Sequence, residues 1–245
     1  GGLSYDQLIE LIYDNVHDSL SQRQKLFFAG VSNSTNIEYE KLVLLDQSNV
    51  ALVLLSLKHS GFGCSFGSVS IFTDDMHSIL GRSFDWFGDF TKLNSLLTVT
   101  VYNGYDSKSV ATIGYPGWLG TITGINENGL YLSLNSGLKA MGPTFYADRG
   151  SYLNELFEVL LDSTSLRGII RRLYQIKPNF ANIVNVVGAD NAVSIENTPF
   201  ESKIRYQNIG MLVSTNNYMD PSWGNIQLES STFSLKRYKN LVSLI

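Results

Sequence analysis

The chain has 245 residues, a formal net charge of −4, and 16% charged residues. That length supports a sizeable core in one large domain or two small ones. No Lys/Arg-rich block gives an electrostatic footprint for nucleic acid. The apolar run Leu42 to Leu57 is interrupted by Asp46, Gln47, Ser48 and Asn49. It therefore reads as two short elements and not as a membrane span. The single cysteine, Cys64, excludes an internal disulfide and leans towards a reducing, cytoplasmic compartment.

In chain order, Tyr5 to Phe28 carries apolar residues at helical spacing, and a polar break covers Ser32 to Asn36. Ile37 to Leu45 predicts a second short helix with Glu38 and Glu40 near its start. Val50 to Leu57 fits a strand or a helix end equally well. From Cys64 the pattern turns to strands, expected over 64–72, 78–86, 96–102, 110–114, 119–125 and 129–135. A turn at Thr73-Asp74-Asp75 pairs the first two as a hairpin, and Asn128-Gly129 suits a tight turn between the last two. Helices follow over 150–161 and 165–175, the second capped by Ser163 or Ser165 and ended by Pro178. Strands resume over 181–188, 192–196 and 210–215, and the tail 232–245 reads as a helix. Meandering strands flanked by helices predict an α+β layered fold with a largely antiparallel core.

Cys64 is the candidate nucleophile, between Gly63 and a run of small and apolar residues. A lone cysteine in such a run also reads as a small buried hydrophobe. The hairpin brings Arg82 and Asp85 back towards it, and Asn135 and Asn216 fall at strand ends. A thiol needs help to ionise near neutral pH and donors for a developing oxyanion. Each asparagine alone also fits a strand terminator. A papain-like Cys/His/Asn arrangement would have to use His59 or His77, and neither has a clear orienting partner. Three scattered histidines and one cysteine offer no metal-ligand spacing, and no phosphate-loop or dinucleotide pattern occurs.

Gly63-Cys64-Ser65 followed by Gly81-Arg82-Ser83-Phe84-Asp85-Trp86 resembles the cysteine branch of the N-terminal nucleophile (Ntn) hydrolases. The likeness is to the penicillin acyltransferase group, with bile salt hydrolases, penicillin V acylases and acid amidases among its relatives. It continues through 115–120, 124–130, 133–135, 184–188, Ile195-Glu196, Ser214-Thr215-Asn216 and Ser234-Leu235-Lys236-Arg237-Tyr238. The resemblance implies a four-layer αββα sandwich of two antiparallel sheets, here lacking its last strands, since the group's chains continue beyond the Arg-bearing helix.

The resemblance also implies the roles. Cys64 is the nucleophile, and its own α-amine, freed by cleavage between Gly63 and Cys64, is the general base. An α-amine has a pKa near 8, so no histidine is required. Arg82 and Asp85 flank the thiol, Asn135 and Asn216 support the oxyanion, and Arg237 ties the last helix to the site. Arg82 and Asp85 could alternatively form a structural ion pair. Residues 1–63 become a propeptide-like α segment that stays associated with the β segment, 64–245. The expected substrate is an N-acyl small molecule, with acyl-coenzyme A as a further donor and a homo-oligomer admitted. No metal, cofactor, nucleic acid or membrane is expected. Trp118, Tyr115 and Tyr146 are acyl-pocket candidates for which a core role is the stronger expectation. The alternatives are a non-catalytic binding relative with the same sandwich and the papain-like protease.

Overall fold

The computed structural model describes residues 13, 17–56, 63–70, 77–85, 93–104, 107–137, 149–224 and 233–244, with residues 48–56 described by backbone alone. Within these, helix α1 spans Gln22–Thr35 and α2 spans Tyr39–Ser56. Strands β1 (Gly63–Val69), β2 (Ile79–Asp85), β3 (Thr98–Tyr102), β4 (Val110–Gly114), β5 (Thr123–Asn126) and β6 (Tyr131–Ser136) follow. Helices α3 (Tyr152–Asp162) and α4 (Leu166–Gln175) lead to β7 (Asn182–Val187), β8 (Ala192–Asn197), β9 (Ser202–Tyr206) and β10 (Met211–Ser214). Helix α5 spans Ser234–Leu244.

The strands form two antiparallel sheets. One has three strands in the order β10-β1-β2; the other has seven in the order β3 to β9. They meet face to face, β1 against β6 and β10 against β8. Helices α3 and α4 cover the outer face of the larger sheet, and α5 covers the smaller one. This is the expected α+β, four-layer arrangement.

Most of the apolar core lies between the seven-stranded sheet and the helices, where Leu132, Leu156, Leu160, Ile169, Val186 and Ile195 are wholly buried. The inter-sheet core is smaller, built on Phe66, Tyr131, Val187, Ala192 and Leu212. The rings of Phe66 and Tyr131 stack at 6.2 Å.

Several expectations change. The first helical stretch does not run unbroken through residue 28: a turn at 18–20 separates it from α1. Helix α1 restarts at a capping box, with the Gln24 N–H donating to Ser21 Oγ and the Ser21 N–H to Gln24 Oε1. Its far end reaches Thr35, where Asn36 adopts a left-handed cap, so residues 32–35 are helical. Residues 39–56 are one helix, not two elements, because neighbouring chain satisfies Asp46 in mid-helix. Strand β9 was not anticipated; its Ser-Lys-Ile-Arg-Tyr sequence shows little apolar alternation. The β5–β6 hairpin is as read. Gly129 takes a φ of +73°, and Asn126 Oδ1 accepts the N–H groups of Asn128 and Leu130. Residues 73–75, Trp86, His59 and Tyr146 lie outside the described residues.

Candidate active site

Strand alternation sorts the residues of β1. Cys64, Phe66 and Ser68 are buried on the face towards β6, while Ser65 and Gly67 are only half-buried. The β1–β2 register sets Cys64 opposite Phe84, Gly63 opposite Asp85 and Phe66 opposite Arg82. The hairpin therefore returns the arginine and the carboxylate to the Cys64 end.

Cys64 is held from both sides of its backbone. Its N–H donates to Asn216 Oδ1 at 2.9 Å. Its carbonyl accepts Arg237 Nη1 at 2.6 Å. Arg237 also donates to Ser65 Oγ at 2.6 Å and, through Nη2, to Asn216 Oδ1 at 2.8 Å. Asn216 Nδ2 is anchored on the Ser136 carbonyl at 2.8 Å, and the Asn216 N–H on Ser234 Oγ at 2.9 Å. One asparagine thus joins the end of β6, the exit of β10, the start of α5 and Cys64.

Arg82 Nη2 donates to the Leu134 carbonyl at 2.8 Å, and its guanidinium lies 4.9 Å from the centroid of Phe84. Its Nε is buried without a hydrogen-bond partner among the described residues. No Arg82–Asp85 ion pair forms among the described residues. Instead Asp85 accepts the Ser83 hydroxyl. Asn135 is fully buried on β6, and its Nδ2 donates to Ser214 Oγ and the Thr215 carbonyl, both at 3.0 Å. Its amide donor thus faces β10, while its Oδ1 is buried and unpaired among the described residues.

Burial pushes the Cys64 thiol up, and it outweighs the opposing pull of Arg82, a backbone hydrogen bond from Ser136 and Arg237; Asp85 adds to the rise. The thiol is therefore protonated at neutral pH and needs a base to react. His77 lies at the far end of the hairpin from Cys64, about 20 Å away along an extended strand. His17 lies between Tyr13 and Tyr39 in the N-terminal helices.

A cavity of about 630 Å³ opens beside the hairpin. Its lining combines Arg82, Phe84 and Asp85 from β2 with Tyr115 and Trp118 from the turn after β4. Tyr115 and Trp118 are half-buried wall residues and not members of the sealed core. On the inner face of the larger sheet an apolar row runs from exposed Val101 and Ile125 to buried Tyr131. Val101 pairs with Ala111, Ala111 with Ile125, and Ile125 with Tyr131.

Three residues at the site were given no role from the sequence: Ser65, Ser136 and Ser234. Ser65 and Ser136 each directly follow a residue that was given one. Ser136 contributes its backbone carbonyl, which no side-chain pattern marks, and Ser65 faces the Arg237 side of β1, opposite to Cys64.

A scan of protein families matches residues 72–244 to the acyl-coenzyme A:6-aminopenicillanic acid acyl-transferase family. The chain belongs to this family. The matched stretch contains Arg82, Asp85, Asn135, Asn216 and Arg237 and begins after Cys64. Among solved structures, the chain is similar to a Caenorhabditis elegans N-acylethanolamine-hydrolyzing acid amidase ortholog: TM-score 0.51, 14% identity, covering 73% of this chain and 79% of the other. It is also similar to a conjugated bile acid hydrolase from Clostridium perfringens, with a TM-score of 0.48 and 15% identity over 64% of this chain and 55% of that one. A penicillin V acylase from Agrobacterium tumefaciens gives a TM-score of 0.32 and 13% identity over 62% and 44% of the two chains. The chain spans about half the length of the bile acid hydrolase. No curated protein matches it by sequence.

Proposed function

We propose that this chain is a self-processing, cysteine-type amidohydrolase or acyltransferase that cleaves a linear amide of an N-acyl small molecule through an acyl-cysteine intermediate. The observation that carries the reading is the double grip on Cys64, its N–H on Asn216 and its carbonyl on Arg237. A merely structural cysteine has no need of two polar side chains converging on its own peptide groups.

Maturation starts with attack of Cys64 Sγ on the Gly63 carbonyl carbon. The C–S bond forms, the C–N bond breaks, and the thiol proton ends on the departing nitrogen. Water then opens the thioester, leaving a Gly63 carboxylate and a free Cys64 thiol. The α segment is 1–63 and the β segment 64–245. The freed α-amine, with a pKa near 8, is matched to the task of taking a thiol proton near neutrality. Asn216 Oδ1, which already accepts from this nitrogen, orients it.

In turnover the thiolate attacks the amide carbon of the substrate. Arg82, whose buried Nε–H has no partner among the described residues, meets the charge that develops on oxygen. The protonated α-amine gives its proton to the leaving amine. Water, or an acceptor amine, then attacks the acyl-cysteine. An acyl-coenzyme A thioester enters by the same attack. The largely apolar lining supports the cavity as the place for the acyl group. Asn135, bonded to the Thr215 carbonyl, acts by positioning Asn216.

A thiol-directed acyl probe should label Cys64 alone in the wild type and leave Cys64→Ala unlabelled. Equal labelling of the variant removes this reading. Binding of acyl ligands with neither labelling nor turnover favours a non-catalytic relative.

A further inference from the structure

Helix α2 precedes Cys64 in the chain, yet it reaches under the wall of the cavity. The Asp46 side chain is fully buried. Its Oδ1 accepts the consecutive backbone N–H groups of Leu119 and Gly120, at 2.7 and 3.2 Å. Its Oδ2 accepts Asn154 Nδ2 of α3 and Gln47 Nε2, both at 2.8 Å. Burying a carboxylate is costly, and such a group persists where fixed donors replace its water. Here two of those donors are the backbone leaving one particular turn.

That turn is residues 115–118, closed by the Trp118 N–H on the Tyr115 carbonyl at 3.2 Å. It is held at its tip as well. Gly117 has a φ of +88°, and a Cβ there would lie 2.7 Å from Leu45 Cδ2 on the same helix. The turn carries Tyr115 and Trp118, whose rings meet edge to face at 5.1 Å and line the same cavity as Arg82 and Phe84.

We propose that Asp46 is a positioning residue for the acyl site: the α segment, through this carboxylate, sets the placement of the Tyr115–Trp118 wall. The inference rests on the reading that the cavity receives the acyl group. It makes the α segment a working part of the pocket. Loosening the wall weakens binding of the acyl group and leaves the chemistry at Cys64 in place, so the effect falls on KM more than on kcat.

The test uses the full chain with Trp86 and Trp223 replaced by Phe, so that Trp118 is the sole tryptophan. Asp46→Ala is expected to shift Trp118 emission to longer wavelength. With a chromogenic N-acyl anilide, KM should rise about tenfold or more while kcat stays within about threefold. Asp46→Asn retains an oxygen for Leu119 and Gly120 and should restore both readouts. Should Asp46→Ala fail to fold, Gly117→Ala pushes the turn from the Leu45 side and should move emission and KM in the same direction. A variant that melts earlier, with Trp118 emission and KM unchanged, overturns the proposal. If the wild type turns over no amide, the emission shift still decides the role of Asp46, while the functional reading fails separately.

Discussion

The two faces of strands β6, β7 and β8 alternate along the same backbone and differ sharply in chemistry. Towards the helices they present Leu132, Leu134, Val184, Val186, Val193 and Ile195. Towards the three-stranded sheet they present Ser133, Asn135, Asn185, Ser194 and Glu196, all fully buried. The first face is held by removal of apolar surface from water, which is non-directional. The second also buries Tyr131, Val187 and Ala192, and adds directed bonds to that smaller apolar contact. Ser194 Oγ and Ser214 Oγ donate to Asn185 Oδ1 at 2.6 and 2.7 Å, and Asn135 spans from Ser214 to the Thr215 carbonyl. Glu196 then takes the N–H groups of Met219 and Asp220 and the Trp223 indole. The contrast teaches where precision is needed. The chain leaving β10 carries Asn216, and the polar face fixes that chain on either side of it.

The comparison predicts that the two faces fail differently. Leu132→Ala on the helix face should cost about 2–5 kcal/mol in urea unfolding, with probe labelling per folded molecule unchanged. A loss of labelling beyond the loss of folded protein would break the division. Asn216→Ala should weigh the other way: turnover falls about a hundredfold through misplacement of the α-amine, and stability drops by only about 1 kcal/mol because the groups left without a partner are part-buried. Asn185→Ala lies between. It leaves two buried hydroxyls without their acceptor, so stability should drop by about 1–3 kcal/mol, and turnover should fall less than in Asn216→Ala.

The smallest effect concerns Asp46, on neither face. Burial raises its carboxyl above the ordinary range, against the pull of Asn154, Leu119, Gly120 and Gln47. A raised folded pKa contributes stability that is present below the unfolded pKa and is lost as pH rises through the folded one. Wild-type stability relative to Asp46→Asn should therefore decline as pH rises across the weakly acidic range. Urea midpoints taken at a series of pH values check this, and a rising difference contradicts it.

Much of the sandwich was legible because strands in a two-sheet fold announce themselves by alternation. The β1–β2 hairpin and the Asn128-Gly129 turn are local signals, and both hold. Helix α2 was not legible as one element. Asp46 and Gln47 look like an interruption until Leu119, Gly120 and Asn154 supply their partners from far along the chain. Cys64, Arg82, Asp85, Asn135 and Asn216 stood out by their place at strand ends and Arg237 only by the family resemblance, and Cys64, Asn216 and Arg237 do meet. The direction of each amide could not be read that way. Asn135 follows Leu134 on a strand with both faces buried, and only the position of β10 decides that its donor turns to Thr215.

The central claim is that Cys64 cuts the bond before it and then works as an N-terminal nucleophile. Intact-mass measurement of the purified chain tests it most directly. The account predicts two masses in the wild type, one fragment ending at Gly63 and the other beginning at Cys64, summing to the precursor plus one water. Cys64→Ala should give the uncut mass alone. A wild type that remains one uncut mass while turning over an amide substrate would contradict the account.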